Sequence, residues 1–272
     1  MPIVDPRRYQ IACLGTLLAY GWLFLAFDIG LPQIAVSLGG TLGTQWVCSR
    51  LWKLPRFEAA SALISGLSLC LLLRTDQLWV AGVGAVLTVA SKFVLRVNGK
   101  HVWNPTNFGV ATMLLLSDHA WVSPGQWGSA TVAAFAFACA GGMVVNRAER
   151  SDITYAFLAC FLCLIFGRSL WVGEPMTIPL HRLQSGAFLL FTFFMISDPR
   201  TSADARGARF LQAALVAGLA WLIQYRWFHT NGLIWSLYFL APLTPVLDRV
   251  WKAGRDAWPT PVPSTPSTWS PA

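Results

Sequence analysis

Charged side chains are scarce in this sequence: they make up 12% of its 272 residues, whereas 55% are hydrophobic. Soluble domains carry about a quarter charged residues. This deficit, the many long apolar runs and a mean hydropathy of +0.53 exclude an ordinary soluble domain. They predict a polytopic integral membrane protein whose helices are surrounded by a lipid bilayer.

Several chemical signatures are also missing. All six cysteines lie inside or at the edge of apolar runs, so they form no secreted disulfide framework. Cys160 and Cys163 are spaced like metal ligands, but no second pair or nearby histidine accompanies them, and no metal site is predicted. The sequence has no dinucleotide-binding motif, haem ligand pair or iron–sulfur spacing. No cleavable signal peptide is expected, because the first apolar run is long and lacks a clear cleavage site.

The sequence does contain a series of apolar segments separated by short polar loops. We predict an all-α integral membrane fold of about ten transmembrane helices in one polytopic domain, residues 1–250. A Pro/Ser-rich cytoplasmic tail, residues 251–272, is expected to be disordered. The fifth span is too short to cross a hydrocarbon core of about 30 Å, which indicates a broken helix. The predicted spans are residues 9–28, 31–52, 58–73, 78–97, 108–116, 129–145, 153–171, 183–196, 210–225 and 233–247.

The net charge of +8 is distributed asymmetrically about these spans. If the N-terminus is cytoplasmic, most of the 20 Lys and Arg residues fall on the cytoplasmic side. This positive-inside asymmetry predicts a multi-pass protein of the cell (inner) membrane with both termini in the cytoplasm. It also explains the net charge without nucleic acid as a partner. The basic residues on the outer side would be Arg74, Arg168, Arg182 and Arg226.

Two polar segments interrupt the apolar pattern. The first island, residues 100–109, reads K-H-V-W-N-P-T-N-F-G, and the second island, residues 197–202, reads S-D-P-R-T-S. Asn104 followed by Pro105 is typical of an N-cap and the first position of a helix. The predicted topology places both islands at the cytoplasmic side of the membrane.

Polar residues of the two islands are costly to expose to lipid, so we expect them to face each other. Asn104, Asn107, Asp198 and Thr201 are predicted to converge and line a polar pocket. The alternative is that Asn104 and Asp198 only cap helices. Just before the first island, Lys92 is expected to extend its side chain toward the membrane surface.

A short internal similarity links the third and eighth predicted spans. The pattern L-x-S-G-x-x-L occurs at residues 63–69 and again at residues 183–189. Because these spans are five apart they would cross the membrane in opposite directions, which predicts a five-plus-five inverted repeat with broken helices. In that architecture the site lies at the interface between the repeats. The same small residues also serve simple helix packing.

Taken together, N-P-T-N-F-G at residues 104–109 and the segment from S-G to F-F-M-I-S-D-P-R-T-S at residues 185–202 resemble the NqrB/RnfD family. Its members are membrane subunits of sodium-pumping NADH:quinone oxidoreductase and of the Rnf electron-transport complex. The resemblance covers roughly residues 58–250, and the first island is most similar to the stand-alone UnbU-like branch. It implies a ten-helix inverted-repeat fold related in shape to urea channels, with a role in moving electrons or ions.

The resemblance also implies a flavin cofactor, either FMN or riboflavin. Electron-transferring members attach FMN to the threonine of an extracytoplasmic D-x-x-[ST]-G-A-T motif. The nearest match here ends at Thr131 and has Gly125 in place of the acidic residue, which argues against covalent attachment. The cofactor-binding residues implied by the resemblance are Asn104, Pro105, Asn107, Thr131, Ser185, Gly186, Asp198 and Thr201.

Three functions remain open at this point. The first, which the resemblance implies, is transmembrane electron transfer or ion translocation as a subunit of an oxidoreductase rather than as a complete enzyme. Its partners would be other membrane or redox subunits. The second is a small-solute channel or transporter of urea-channel-like architecture. The third is a membrane scaffold or helper of a biosynthetic assembly, without chemistry of its own. A flavin absorption band near ~450 nm would separate the first from the other two.

Overall fold

The structure, a computed structural model, describes residues 5–123 and 151–254, which are mostly helical. The elements of the first range are α1 (Pro6–Phe24), α2 (Leu31–Leu51), α3 (Ala59–Leu72), β1 (Leu73–Thr75), α4 (Leu78–Val94), β2 (Arg96–Val97), β3 (Lys100–His101), α5 (Pro105–Leu116) and β4 (Ala120–Val122). Strand β1 pairs antiparallel with β4, and β2 pairs antiparallel with β3.

The second described range is entirely helical in its regular elements. Its elements are α6 (Ser151–Val172), α7 (Thr177–Leu183), α8 (Gly186–Met195), α9 (Arg206–Arg226), α10 (Gly232–Leu240) and α11 (Leu243–Val250). Helix α8 changes from α-helical to π-helical geometry at Phe191, and α9 does so at Leu222.

Two described helices, α6 and α9, are long and apolar enough to cross a membrane. The pair α10 and α11, bent by 50°, would make a third span, while α3, α4, α5 and α8 are apolar but shorter. The predicted number of ten spans is therefore not confirmed. The predicted sixth span, residues 129–145, and the tail from residue 255 lie outside the described residues. The prediction of a helical membrane protein is confirmed in the described ranges.

The first island starts a helix as predicted. The Asn104 side chain accepts a hydrogen bond from the Asn107 backbone N–H at 3.1 Å, and Pro105 occupies the first turn of α5. The first backbone N–H groups of a helix have no partner within the helix. Asn104 accepts a hydrogen bond from one of them, and Pro105 has no N–H that needs a partner. The resulting α5 has 12 residues and a length of about 18 Å, well short of a hydrocarbon core of about 30 Å.

The predicted eighth span is wrong at its beginning. Residues 177–183 form the separate short helix α7, and the chain breaks at Gln184 and Ser185 before α8 begins at Gly186. Ser185 has extended backbone dihedrals, φ −67° and ψ 125°, which a continuous helix does not allow. The apolar pattern hid this break because leucines occur on both sides of it.

The short helices α5 and α10 lie against each other in antiparallel directions. The Trp103 indole N–H donates to the Tyr238 carbonyl at 2.9 Å, and the Asn107 amide donates to the Ile234 carbonyl at 3.0 Å. Asn107 is fully buried there. One continuous apolar core surrounds this pair, drawing side chains from both described ranges. The two described ranges therefore pack against each other at the short helices α5 and α10.

Candidate functional site

The structure brings the two islands into contact. The Asn104 side-chain amide donates to an Asp198 carboxylate oxygen at 3.3 Å and to the Met195 carbonyl at 3.5 Å. Asp198 uses its other oxygen to accept from the Arg200 backbone N–H at 3.0 Å. Asn104 therefore caps its own helix and also holds the turn that follows α8. Capping and contact between the islands, offered as alternatives by the sequence, occur in the same residue.

Ion pairs reinforce this end of the helix bundle, which we call the island end. The Lys100 ammonium lies 2.8 Å from carboxylate oxygens of both Asp204 and Asp248. The Asp204 backbone N–H also donates to Asp248 at 2.8 Å. All three side chains are at most 17% exposed. Lys100 thus connects the first island to the loop after the second island and to α11.

A second ion pair holds the same loop from α9. The Arg209 guanidinium contacts an Asp152 carboxylate oxygen at 2.6 and 2.8 Å and donates to the Asp204 carbonyl at 2.6 Å. Asp152 lies in the first turn of α6. The loop that carries the second island is therefore held by Arg209 of α9 and Asp248 of α11, and Asp152 of α6 orients Arg209.

Not all the predicted pocket residues converge. Asn107 points its amide to α10, and the Thr201 hydroxyl donates within its own turn to the Asp198 carbonyl at 3.4 Å. Neither residue lines the cavity between the islands. The prediction of a four-residue pocket is correct for Asn104 and Asp198 and wrong for the other two. Asn104 caps the start of α5, whereas Asn107 lies inside the helix and its amide is held by the Ile234 carbonyl.

The island cavity is a polar space of about 90 Å³ at the island end. Asn104 and Asp198 line it, as the sequence predicts, and Pro105 lines it as well. Sequence reasoning missed the residues that α3, α4 and the β2–β3 turn contribute. The most informative of these are Glu58, Ser61, Lys92 and His101.

Lys92 does not extend to the membrane surface as predicted. It is only 4% exposed, and its ammonium donates to the backbone carbonyl and the hydroxyl of Ser61, both at 3.1 Å. A signal for this burial is present in the sequence. Lys92 follows Ala85 by seven residues and Val89 by three, so helical periodicity places it on the buried face of α4.

His101 lines the island cavity and is buried, with 7% of its surface exposed. It belongs to β3, between α4 and α5. Its Nδ1 has no hydrogen-bond partner among the described residues. Burial lowers the pKa of His101 to about 3, and the positive charges of Arg96, Arg200 and Lys92 act in the same direction. The imidazole is therefore neutral at physiological pH.

A His101→Phe variant is expected to lose a pH dependence of stability that the wild type shows. The unfolded chain binds a proton near pH ~6.5 and the folded protein does not until about pH 3. Above pH ~6.5 His101 does not change the free energy of unfolding. As the pH falls from there toward 3, His101 lowers the free energy of unfolding by about 1.4 kcal/mol per pH unit. Unfolding midpoints between about pH 8 and pH 5 measure this loss.

The exposed His229 supplies the control for this prediction. His229→Phe should keep the wild-type pH profile, because it leaves the buried His101 ring in place. An equally steep profile in His101→Phe and wild type would contradict the assignment.

A second and larger cavity lies on the other side of α8. This aromatic cavity has a volume of about 440 Å³, and Phe161, Phe188 and Phe191 line it. Its polar edge includes Arg182 and Ser185. Of the residues implied for cofactor binding, Ser185 is thus in this cavity, and Gly186 begins the helix beside it. Thr131 lies outside the described residues.

A cationic cluster stands next to the polar edge of the aromatic cavity. The Arg182 guanidinium lies 4.8 Å from the centroid of the Tyr225 ring, and the Arg168 guanidinium lies 4.4 Å from the same ring. Arg168 also forms an ion pair with Glu174 at 2.7 Å, whereas Arg182 has no carboxylate within ion-pair distance among the described residues. The edge of the cavity therefore carries a positive charge.

Met195, at the end of α8, lines both the island cavity and the aromatic cavity. The implied cofactor residues therefore fall into two groups, one on each side of this helix. Among the described residues, no three His, Cys, Asp or Glu side chains are grouped so that they could hold a metal ion.

These features define a helical membrane protein in which two polar islands close one end of the bundle and a helix with π-helical geometry separates two cavities. The chain belongs to the NQR2, RnfD, RnfE family, whose model matches residues 116–255. The resemblance to the NqrB/RnfD family is thereby confirmed.

Curated relatives show the same relationship. The chain is 27% identical over 132 residues to the RnfD-type component of the ion-translocating oxidoreductase complex from Escherichia coli O9:H4 (strain HS) and from Escherichia coli (strain K12). It is equally similar to the corresponding component from Shigella boydii serotype 18 (strain CDC 3083-94 / BS512). The matched region covers 47% of this chain and 32% of each relative. The chain thus spans about a third of the length of the relatives it matches.

Proposed function

We propose that this protein is a membrane subunit of an ion-translocating oxidoreductase and that it holds a flavin in the aromatic cavity. Membership of the family and the complex to which the relatives belong support the first part. The aromatic cavity is the observation that carries the second part. Partner subunits would supply and accept the electrons, and the bound flavin would provide one- and two-electron redox chemistry.

The residues of the aromatic cavity fit a flavin in size and chemistry. Ligand pockets for molecules of drug size take about 300–1,000 Å³ and are mostly apolar with a few polar groups. The volume of about 440 Å³ lies in this range, whereas the island cavity, at about 90 Å³, lies below it. Three phenylalanine rings can exclude water from a planar ring system, and Arg182 can offset negative charge at its edge. We therefore assign the flavin to this cavity and not to Asn104, Pro105 and Asp198.

Filling the aromatic cavity is expected to displace the flavin. Ala187 lines the cavity, so an Ala187→Trp variant should purify with at least about tenfold less flavin than wild type. Ala214→Trp is the matched control, because Ala214 is exposed on α9 and its larger side chain should leave flavin content unchanged. Flavin content is read from absorption near ~450 nm after purification in detergent.

The same sample tests how the flavin is held. Acid precipitation should release the flavin into the supernatant, because the attachment motif is incomplete around Thr131. Wild-type protein without bound flavin would overturn the proposal. Equal flavin content in Ala187→Trp and wild type would place the cofactor elsewhere in the chain.

A second candidate function is movement of a small polar solute across the membrane. The observation in its favour is Met195, which lines the cavities on both sides of α8. Proteoliposomes containing the protein would then take up small polar solutes faster than protein-free liposomes. Met195→Trp should slow this uptake because the larger side chain fills the junction. Uptake equal to that of protein-free liposomes would exclude this function.

We also propose the inverted-repeat arrangement and the cytoplasmic orientation of the island end. α5 and α10 each begin after an asparagine, Asn104 and Asn231, and they pack antiparallel. Each also approaches its neighbouring helix through a glycine, α5 at Gly109 and α10 at Gly232. Thiols engineered at the island end should react from the cytoplasmic side of intact cells. Reaction only from outside would overturn the orientation.

A further inference from the structure

Lys92 lines the island cavity and is almost fully buried there. No Asp or Glu oxygen among the described residues lies within 4.0 Å of its ammonium. An ammonium has three N–H donors, and the Ser61 carbonyl and hydroxyl account for two of them. Burying a charge without a partner is costly, so a group bound in the cavity that supplies negative oxygen would offset this cost.

The carboxylates that also line the island cavity are already engaged. Glu58 forms an ion pair with Arg7. Asp198 accepts hydrogen bonds from the Asn104 amide and the Arg200 backbone N–H. Arg7, Lys92 and Arg200 therefore outnumber Glu58 and Asp198 among the charged side chains that line the cavity. The balance favours an anion over a cation.

His101 sets a second chemical requirement for a ligand of the island cavity. Its Nδ1 is buried and has no hydrogen-bond partner among the described residues. In a neutral imidazole Nδ1 is either a donor or an acceptor, depending on the tautomer. A hydroxyl group can both donate and accept a hydrogen bond, so it satisfies Nδ1 in either tautomer.

We propose that the island cavity binds a small carboxylate that also carries a hydroxyl group. The carboxylate lies against the Lys92 ammonium, and the hydroxyl forms a hydrogen bond with His101 Nδ1. The hydroxyls of Ser68 and Thr106, which also line the cavity, can donate to the remaining carboxylate oxygen. The volume of about 90 Å³ restricts the ligand to a few non-hydrogen atoms. This site is separate from the flavin cavity and does not depend on redox chemistry.

Thermal unfolding of the purified full-length protein in detergent tests the proposal with three probes at equal ionic strength. Glycolate has the carboxylate and the hydroxyl, acetate lacks the hydroxyl, and gluconate has both but is too large for the cavity. Glycolate should raise the unfolding midpoint in a saturable way, because a ligand that binds only the folded state stabilises it. Acetate should act with about tenfold lower apparent affinity, because His101 Nδ1 stays without a hydrogen-bond partner. Gluconate should not act at all.

Two variants test the proposed contacts with Lys92 and His101 separately. Lys92→Met should remove the response to glycolate and to acetate, while Lys53→Met, which changes an exposed lysine before α3, should respond as wild type. His101→Phe should make the responses to glycolate and acetate equal. Flavin content should not change in either cavity variant.

The outcomes that would overturn the proposal are equally specific. An effect of gluconate as large as that of glycolate would show a general salt effect. A wild-type response in Lys92→Met would remove the anion site. Where Lys92→Met does not fold, His101→Phe decides alone, because a retained preference for glycolate over acetate would exclude the proposed contact.

Discussion

A Gly109→Ala variant is expected to lose about 2–3 kcal/mol of stability. A Cβ atom at this position would lie 1.8 Å from Thr88 Oγ1, 3.0 Å from Thr88 Cβ and 3.1 Å from the Gly84 carbonyl oxygen. Thr88 cannot move aside easily, because it is β-branched and fully buried in α4. Helices α4 and α5 must therefore separate. The shift would also move Asn104, at the start of α5, away from Asp198.

The midpoint of thermal or chemical unfolding in detergent measures this effect. Gly218→Ala is the matched control: Gly218 also lies inside a helix, α9, but a Cβ there meets nothing within 4 Å. That variant should be neutral or slightly more stable, because alanine favours helix more than glycine does. Combining Gly109→Ala with Thr88→Ala removes the closest atom and should restore much of the loss. If Gly109→Ala is as stable as wild type, the close packing of α4 on α5 is wrong.

A Lys100→Met variant is expected to lose about 3 kcal/mol. Lys100 is the shared partner of Asp204 and Asp248, and these carboxylate side chains are only 10% and 17% exposed. Without the ammonium, two partly buried negative charges would remain next to each other and repel. The loop after the second island would separate from α11. Because this loop follows Asp198, the island cavity should open as well.

The control for this prediction is Lys252→Met, which removes an exposed lysine close to the same cluster. An exposed charge contributes little, so its unfolding midpoint should stay within about 0.5 kcal/mol of wild type. Adding Asp204→Asn to Lys100→Met removes one of the two repelling charges and should recover part of the loss. Equal midpoints for Lys100→Met and Lys252→Met would show that the cluster is not a structural connection.

Local signals in the sequence predicted the start of α5 and the position of α2 closely. Asn104 and Pro105 specify a helix start through their own side chains, which need no distant partner. The predicted second span, residues 31–52, matches α2 (Leu31–Leu51) because Gly30 and Pro32 mark its beginning and apolar residues fill it. The contact between Asn104 and Asp198 followed from a simple physical argument, since polar segments avoid lipid and gather together.

Other features could not be predicted because they depend on contacts between distant residues. The break at Gln184 and Ser185 before α8 and the 50° bend between α10 and α11 were seen only in the tertiary structure. The burial of Lys92 depends on Ser61, which lies 31 residues earlier in the chain. Resemblance to a family grouped Ser185 with Asp198 in one cofactor site, but α8 places them in two different cavities.

The sequence by itself determined three things about this protein. It is a helical membrane protein, its first island starts a helix at a defined residue, and its two polar islands meet. Composition and capping act over a few residues, and avoidance of lipid acts on any polar segment, so neither needs knowledge of the tertiary fold. Only the tertiary structure decided that α8 separates a small polar cavity from a large aromatic one. Cavities are formed by side chains from several helices, and their volume and charge depend on how those helices pack.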